Sequence, residues 1–271
     1  MTVLGSEGFE VEQLLPGGNV GGAVLVDGTV RRATGPWTPA VHALLRHLAD
    51  HGFDGAPRVL GIDTAGREML SFLPGATTGT ARPWPSWTHS DTALVQVGGW
   101  LRRYHRAVSG FVPPPGAVWR GSSRSWQPGD VVGHNDAAPY NAVWDVEHDR
   151  LVGFFDWDFA GPCPAVRDLA FVAFSWTPLH ARDAAAEGGF TRFAERPRRL
   201  RMLLGAYGYD GSTVELLDAV RARIIDHVAE LQRLAAAGDP PFERLVRDGA
   251  ATALERAVDE LDRDRADLAS G

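Results

Sequence analysis

The first 75 residues are mostly short stretches of alternating apolar and polar positions, whereas the chain beyond residue 165 is apolar at helical spacing almost to its end. Strands are predicted at Phe9–Leu15, Ala23–Val26, Thr29–Ala33, Arg58–Asp63 and Glu68–Leu73, with Asp27-Gly28 as a two-residue hairpin turn. Thr38-Pro39 opens the one helix of this part: a capping hydroxyl precedes a proline whose missing N–H is not needed in a first turn. Val41, Leu44, Leu45 and Leu48 form its apolar face, and Gly52 ends it.

Leu73-Pro74-Gly75 then breaks the pattern. Residues 76–90 are loop-like, Asp91–Val108 is helical, and 112–130 is irregular around three consecutive prolines. Three short strands are predicted at 131–133, 142–145 and 151–155, then helices near 166–176, 190–207, 212–237 and 241–268. No segment repeats. This order predicts an α+β fold with a small β-rich lobe at 1–75, hinged at Leu73–Gly75 to a larger α-helical lobe at 76–271.

Composition changes the picture in one respect. All 27 basic side chains are arginine, against 34 acidic ones, for a net charge of −7. Without lysine there is no G-x-x-x-x-G-K-[ST] phosphate loop and no Schiff-base chemistry, so any phosphate is held by arginine, backbone N–H groups or a metal. An arginine-rich codon bias would produce the same count. The mild acidity argues against nucleic acid or an anionic membrane as partner. Cys163 is the single cysteine, so no intrachain disulfide forms. With no apolar run of membrane-spanning length and no signal-peptide pattern at the start, the expectation is a cytoplasmic protein.

The densest candidate chemistry is His134-Asn135-Asp136-Ala137-Ala138-Pro139-Tyr140-Asn141, followed by Asp156-Trp157-Asp158. A strand at 142–145, a turn, and an antiparallel return at 151–155, each residue rising ~3.3 Å, bring Asn141 and Asp156 to one end of a hairpin. Asp136 lies on the loop leading into it. A carboxamide and a carboxylate oxygen together suit Mg²⁺, and a further carboxylate left to receive a proton completes a phosphoryl-transfer site.

H-x-D-x-x-x-x-N followed by D-x-D resembles the aminoglycoside phosphotransferase family, small-molecule kinases of the two-lobed protein-kinase-like fold. Asp156–Pro162, Arg167-Asp168-Leu169-Ala170 and Gly35–Val41 are in the same style, and the resemblance spans roughly residues 10–177. It implies that Asp136 orients the acceptor hydroxyl and takes its proton. Asn141 and Asp156 would hold Mg²⁺ on the phosphates of ATP or GTP, Asp158 would assist a second metal, and His134 and Asp168 would brace the loop. Gly18, Asn19 and Gly21 would cover the phosphates, and the break at 71–75, with Phe72, would face the adenine.

Kinases of this kind carry a lysine on the third strand, paired with a glutamate on the next helix. Here that strand reads Thr29-Val30-Arg31-Arg32-Ala33. Matching Val30 to the residue that backs the base puts Arg32 in the cleft and Arg31 outside it, because successive side chains alternate faces. The helix offers no glutamate; His42 stands near the expected place, positioned to accept a hydrogen bond from Arg32.

The resemblance therefore implies a Mg²⁺-dependent phosphotransferase acting on a small-molecule hydroxyl, an antibiotic such as an aminoglycoside among the acceptors. The alternative is a non-catalytic nucleotide-binding protein of the same fold, suggested by the missing Lys–Glu pair. Two further patterns stay open. His42, His47 and His51 are a metal cluster or solvated histidines, and Trp84, Trp87, Trp119 and Trp126 are a substrate wall or packing residues.

Overall fold

A computed structural model describes residues 12–15, 22–79, 82–121 and 124–270. The first part is a five-stranded antiparallel sheet in the order β1-β2-β3-β5-β4. Its strands are β1 (Gln13–Leu14), β2 (Val24–Val26), β3 (Thr29–Arg32), β4 (Val59–Ile62) and β5 (Glu68–Ser71). The β2–β3 turn is made by Asp27 and Gly28, both left-handed at φ 49° and 74°, as a tight two-residue hairpin requires. Helix α1 (Thr38–Asp50) buries Val41, Leu44, Leu45 and Leu48, the face its periodicity predicts. Thr38 does not cap by the predicted route: Trp37 is the N-cap, and Thr38 Oγ1 instead accepts from Gly35 N at 2.9 Å. Of the strand expected at Phe9–Leu15, only Gln13–Leu14 is seen within the described residues.

The second part is built around helix α2 (Asp91–Val108), whose buried Leu94, Val97, Trp100, Leu101 and Tyr104 follow helical spacing. Against it lie two small antiparallel pairs. β6 (Val131–Gly133) pairs with β9 (Gly161–Cys163), and β7 (Ala142–Asp145) with β8 (Arg150–Phe154). Helices α3 (Ala165–Trp176), α4 (Arg182–Glu187), α5 (Arg196–Tyr207), α6 (Thr213–Ala236), α7 (Pro240–Arg247) and α8 (Ala250–Ser270) complete it. The helix expected at 190–207 starts only at Arg196, after the short α4, and that expected at 241–268 is cut in two by Gly249 at φ 85°. The fold is α+β.

The sheet and the helices share one apolar core in which Trp100 is central. Its ring meets Phe154 at 4.5 Å and Phe53 at 5.8 Å, and its indole N–H donates to Gly55 O at 3.0 Å. The same carbonyl accepts Phe154 N at 3.2 Å, so the α1–β4 connection is fastened to the β7–β8 hairpin. Where the chain passes from sheet to helices, Ala76 and Trp144 exchange backbone hydrogen bonds of 2.8 Å in both directions. No described helix is long and apolar enough to cross a membrane.

Gly153 sets how near these parts come, since a Cβ there would stand 2.5 Å from Gly55 O, a backbone atom with no room to withdraw. Gly153→Ala is therefore expected to destabilise the protein by about 1–3 kcal/mol, lowering the thermal midpoint by several degrees. A calorimetric scan giving an unchanged midpoint would show that the two segments can part freely.

Candidate active site

Strand β6 delivers the chain to His134 and then to a loop bent by Asn135 at φ 61°. Asp168, on the first turn of α3 and fully buried, holds that bend. Its carboxylate accepts His134 N at 3.1 Å, Asn135 N at 2.8 Å and His105 Nε2 at 3.0 Å. Burial alone would raise this carboxyl, but the His105 contact and the backbone donors outweigh it and hold it below its ordinary value. Burial keeps His134 neutral. Its Nε2 donates to Phe155 O at 3.2 Å and its Nδ1 accepts Asp136 N at 3.3 Å, which ties the loop to the end of β8. Buried aromatics complete the floor: Trp176 Nε1 donates to Ala137 O at 2.9 Å, and the Tyr104 hydroxyl to Val132 O.

On this support Asp136 is presented by two neighbours. Tyr140 donates its hydroxyl to Oδ1 at 2.6 Å, and Asn141 donates its amide nitrogen to Oδ2 at 2.8 Å and to Asp136 O at 2.9 Å. Burial pushes the Asp136 carboxyl up to about 7, with the negative Asp156 adding to it; Tyr140, Asn141 and the Arg223 cation pull the other way. The hairpin closes as the strand lengths require: Ala142 faces Phe154, Phe155 N donates to Asn141 O at 3.0 Å, and Asp156 follows at once. Asp156 is left-handed, φ 59° and ψ 70°, which is costly for a non-glycine and turns the chain sharply at this point. Both amide hydrogens of Asn141 are spent on Asp136, so its oxygen is the group available to a cation. Asp156 offers a carboxylate beside it. Hard oxygen donors in this small number fit Mg²⁺, which takes its remaining ligands from phosphates and water.

Arg32 enters the cleft from β3, while Arg31 points the other way, 3.9 Å from Asp63. Arg32 Nε donates to Glu68 Oε1 at 2.6 Å, Nη1 to Asp156 Oδ1 at 3.0 Å and Nη2 to Asp158 Oδ1 at 2.5 Å. Burial opposes its charge, but Asp158, Asp156 and Glu68 together raise its pKa. The expectation for its partner needs correcting. His42 does not accept from Arg32; its Nε2 donates to Glu68 Oε2 at 2.7 Å. The missing glutamate comes from β5, where Glu68 lies directly opposite Arg32 in the strand register. Burial would raise Glu68, yet His42 and Arg32 keep it below its ordinary value. With the carboxylate found, the ground for a non-catalytic protein falls away.

Arg120 emerges only from the structure. Its guanidinium lies 4.6 Å over the Trp37 ring and reaches Asp158 Oδ2 at 3.4 Å and Asp239 Oδ2, at the head of α7, at 3.0 Å. Asp158 thus has both oxygens engaged by arginines, which separates it from Asp156 and Asn141 as a ligand for a second metal. Burial, then the nearby negative charges, leave its carboxyl raised despite Arg32. Nothing in the sequence pattern singled out Arg120, which stands in the irregular stretch 112–130.

Gly18, Asn19 and Gly21 lie outside the described residues. Phe72 follows β5 and is 37 % exposed. The three histidines of α1 do not converge on a metal: His42 is committed to Glu68, His47 Nε2 donates to Ala107 O at 2.9 Å, and His51 Nδ1 donates to His47 O at 2.8 Å. Trp119 is buried and Trp87 stacks on Trp144 at 5.3 Å, whereas Trp84 stands 6.4 Å from Tyr140, on the Asp136 side.

A family profile described as the phosphotransferase enzyme family matches residues 117–203, the segment that holds the loop, the hairpin and Asp168. The trifolitoxin immunity protein of Rhizobium leguminosarum bv. trifolii is 38 % identical over 185 residues, which span 67 % of this chain and 68 % of that protein. A solved choline/ethanolamine kinase family protein from Mesorhizobium loti has a TM-score of 0.61 at 17 % identity, covering 98 % of this chain and 95 % of its own. The GDP complex of wild-type aminoglycoside 2'-phosphotransferase-IIIa gives 0.56 at 13 % identity, over 97 % and 94 %. A macrolide 2'-phosphotransferase from Brachybacterium faecium gives 0.54 at 17 % identity, over 90 % and 91 %. The structures share the fold, and the immunity protein shares sequence across about two thirds of both chains; the chain belongs to the phosphotransferase enzyme family.

Proposed function

We propose that this enzyme transfers the γ-phosphoryl group of ATP or GTP to a hydroxyl of a small molecule, with Asp136 receiving the hydroxyl proton. The observation that carries this reading is the convergence of Asp136, Asn141 and Asp156 at one end of the β7–β8 hairpin, with Arg32 bonded to Asp156. The acceptor oxygen attacks the γ-phosphorus, the bond from that phosphorus to the bridging oxygen breaks, and the nucleoside diphosphate leaves. Asp136 suits its part: a carboxyl near 7 accepts a proton readily at neutral pH, and Tyr140 and Asn141 fix its orientation. Asn141 and Asp156 would hold Mg²⁺, which when bound supplies positive charge to the phosphate oxygens. Arg32 stays protonated at any working pH and holds Asp156 in place or grips phosphate through its fork, the service that lysine gives elsewhere. Asp158 organises the two arginines. The name of the immunity protein supports a toxic compound as one class of acceptor. The absence of a described membrane-spanning helix is consistent with a cytoplasmic enzyme.

Two sets of variants test the reading. Asp136→Asn is expected to lower kcat about 10²- to 10⁴-fold with a turned-over acceptor, measured by coupled release of diphosphate. In the wild type, kcat/KM should climb as pH rises through about 7, where the raised carboxyl loses its proton. The same ionisation works against folding, since the unfolded carboxyl ionises near its ordinary 3.8; stability should fall between there and about 7, and this slope should vanish in Asp136→Asn. Wild-type turnover by Asp136→Asn would sink the base assignment.

Arg32→Ala and Glu68→Gln are expected to lower kcat/KM for the nucleotide about tenfold or more, because each strips a buried charge of its partner. Arg31→Ala should stay within about threefold. Equal, small effects at positions 31 and 32 would place phosphate binding elsewhere.

A further inference from the structure

A cavity of about 460 Å³ opens beside the catalytic loop, lined in part by Asn135, Phe159, Arg167, Arg223, Asp226 and Glu230. Two of these residues adjoin the reacting groups in sequence: Asn135 precedes Asp136, and Phe159 follows Asp158. Arg223, which lines it, donates to Asn135 O, so the cavity flanks the catalytic loop.

Its charges are matched with one exception. Arg167 is bonded to Asp226, Glu230 to Arg233 at 2.7 Å, and Arg124, also on the rim, to Asp130 at 2.9 Å. Arg223, on α6, has no ion-pair partner among the described residues. One of its terminal nitrogens donates to Asn135 O at 3.0 Å, and its guanidinium lies 4.9 Å over the Phe171 ring. Its buried Nε has no hydrogen-bond partner. An unpaired guanidinium withdrawn from water is costly, and a neutral carbonyl with an aromatic face offsets only part of that cost. The neighbouring His227 supplies no counter-charge: its Nδ1 is also buried without a partner, and burial together with Arg223, His180 and Arg167 keeps that ring neutral. The bond to Asn135 O places the guanidinium beside the residue that immediately precedes the base.

We propose that Arg223 seats a carboxylate of the acceptor, so that the compounds phosphorylated are hydroxy acids rather than polycationic alcohols. The inference rests on the phosphotransfer reading, since only an acceptor brings its hydroxyl to Asp136. A carboxylate is the anion whose two oxygens match the planar guanidinium fork. A cationic group offers Arg223 no such partner.

The test compares matched probes that differ by a carboxylate, glycerate against glycerol and serine against serinol, by thermal shift on the full chain with and without Mg·ADP. The wild type should be stabilised by the two acids and not by the two alcohols. Arg223→Gln should bind the acids about tenfold more weakly or worse. Arg223→Lys, which keeps the charge without the fork, should retain a reduced response and guards against a variant that merely fails to fold. Equal acid responses in wild type and Arg223→Gln, or none in either, would overturn the proposal. An absent Mg·ADP shift would instead count against the phosphotransfer reading, while the comparison without nucleotide still decides the role of Arg223.

Discussion

Two guanidiniums and four carboxylates meet where the sheet faces the helices: Arg32 and Arg120 among Glu68, Asp156, Asp158 and Asp239. Acid exceeds base in this group. Such a network is weak evidence of stability, because removing each charge from water costs much of what the pairing returns. It serves another purpose. Arg32 belongs to the sheet, Asp156 and Asp158 to the hairpin of the helical part, and Asp239 to the C-terminal helices. A shift of any of these elements stretches a charged hydrogen bond. The site's negative field and the relative position of its walls thus depend on the same atoms.

Asp168 does for the catalytic loop what Arg32 does for the cleft. One buried carboxylate collects two successive backbone N–H groups and a histidine, and the loop therefore needs no regular secondary structure to hold its shape. The surrounding indoles and Tyr104 spend their donors on backbone carbonyls of that loop and its flanking strands. A strained Asp156 is tolerated because these neighbours leave the chain little alternative.

How much of this was legible in the sequence follows from distance along the chain. The hairpin that joins Asn141 to Asp156 is local, and strand length alone brings its ends together. The alternation that sends Arg32 inward and Arg31 outward is equally local. Glu68 was not legible as a partner of Arg32, because their register is set by a pairing that spans α1 and β4, and periodicity says nothing about which residues oppose each other across such a gap. The search fell on the helix, where His42 is real but one step removed. Strand β9 and helix α4 are too short to impose a period, and the cut between α7 and α8 rests on one left-handed glycine inside an otherwise continuous helical pattern. Arg120 and Arg223 carry no motif at all. Each acquires its meaning from what the tertiary fold leaves charged or unpaired around it.

The use of arginine on β3 has a chemical consequence. Reagents that label nucleotide sites by carrying a reactive acyl group on a phosphate depend on a nearby amine that can lose its proton and attack. A guanidinium held among three carboxylates keeps its proton and is no nucleophile. With no lysine in the whole chain, a survey of nucleotide-using enzymes by amine acylation would pass over this one, however well it bound the reagent.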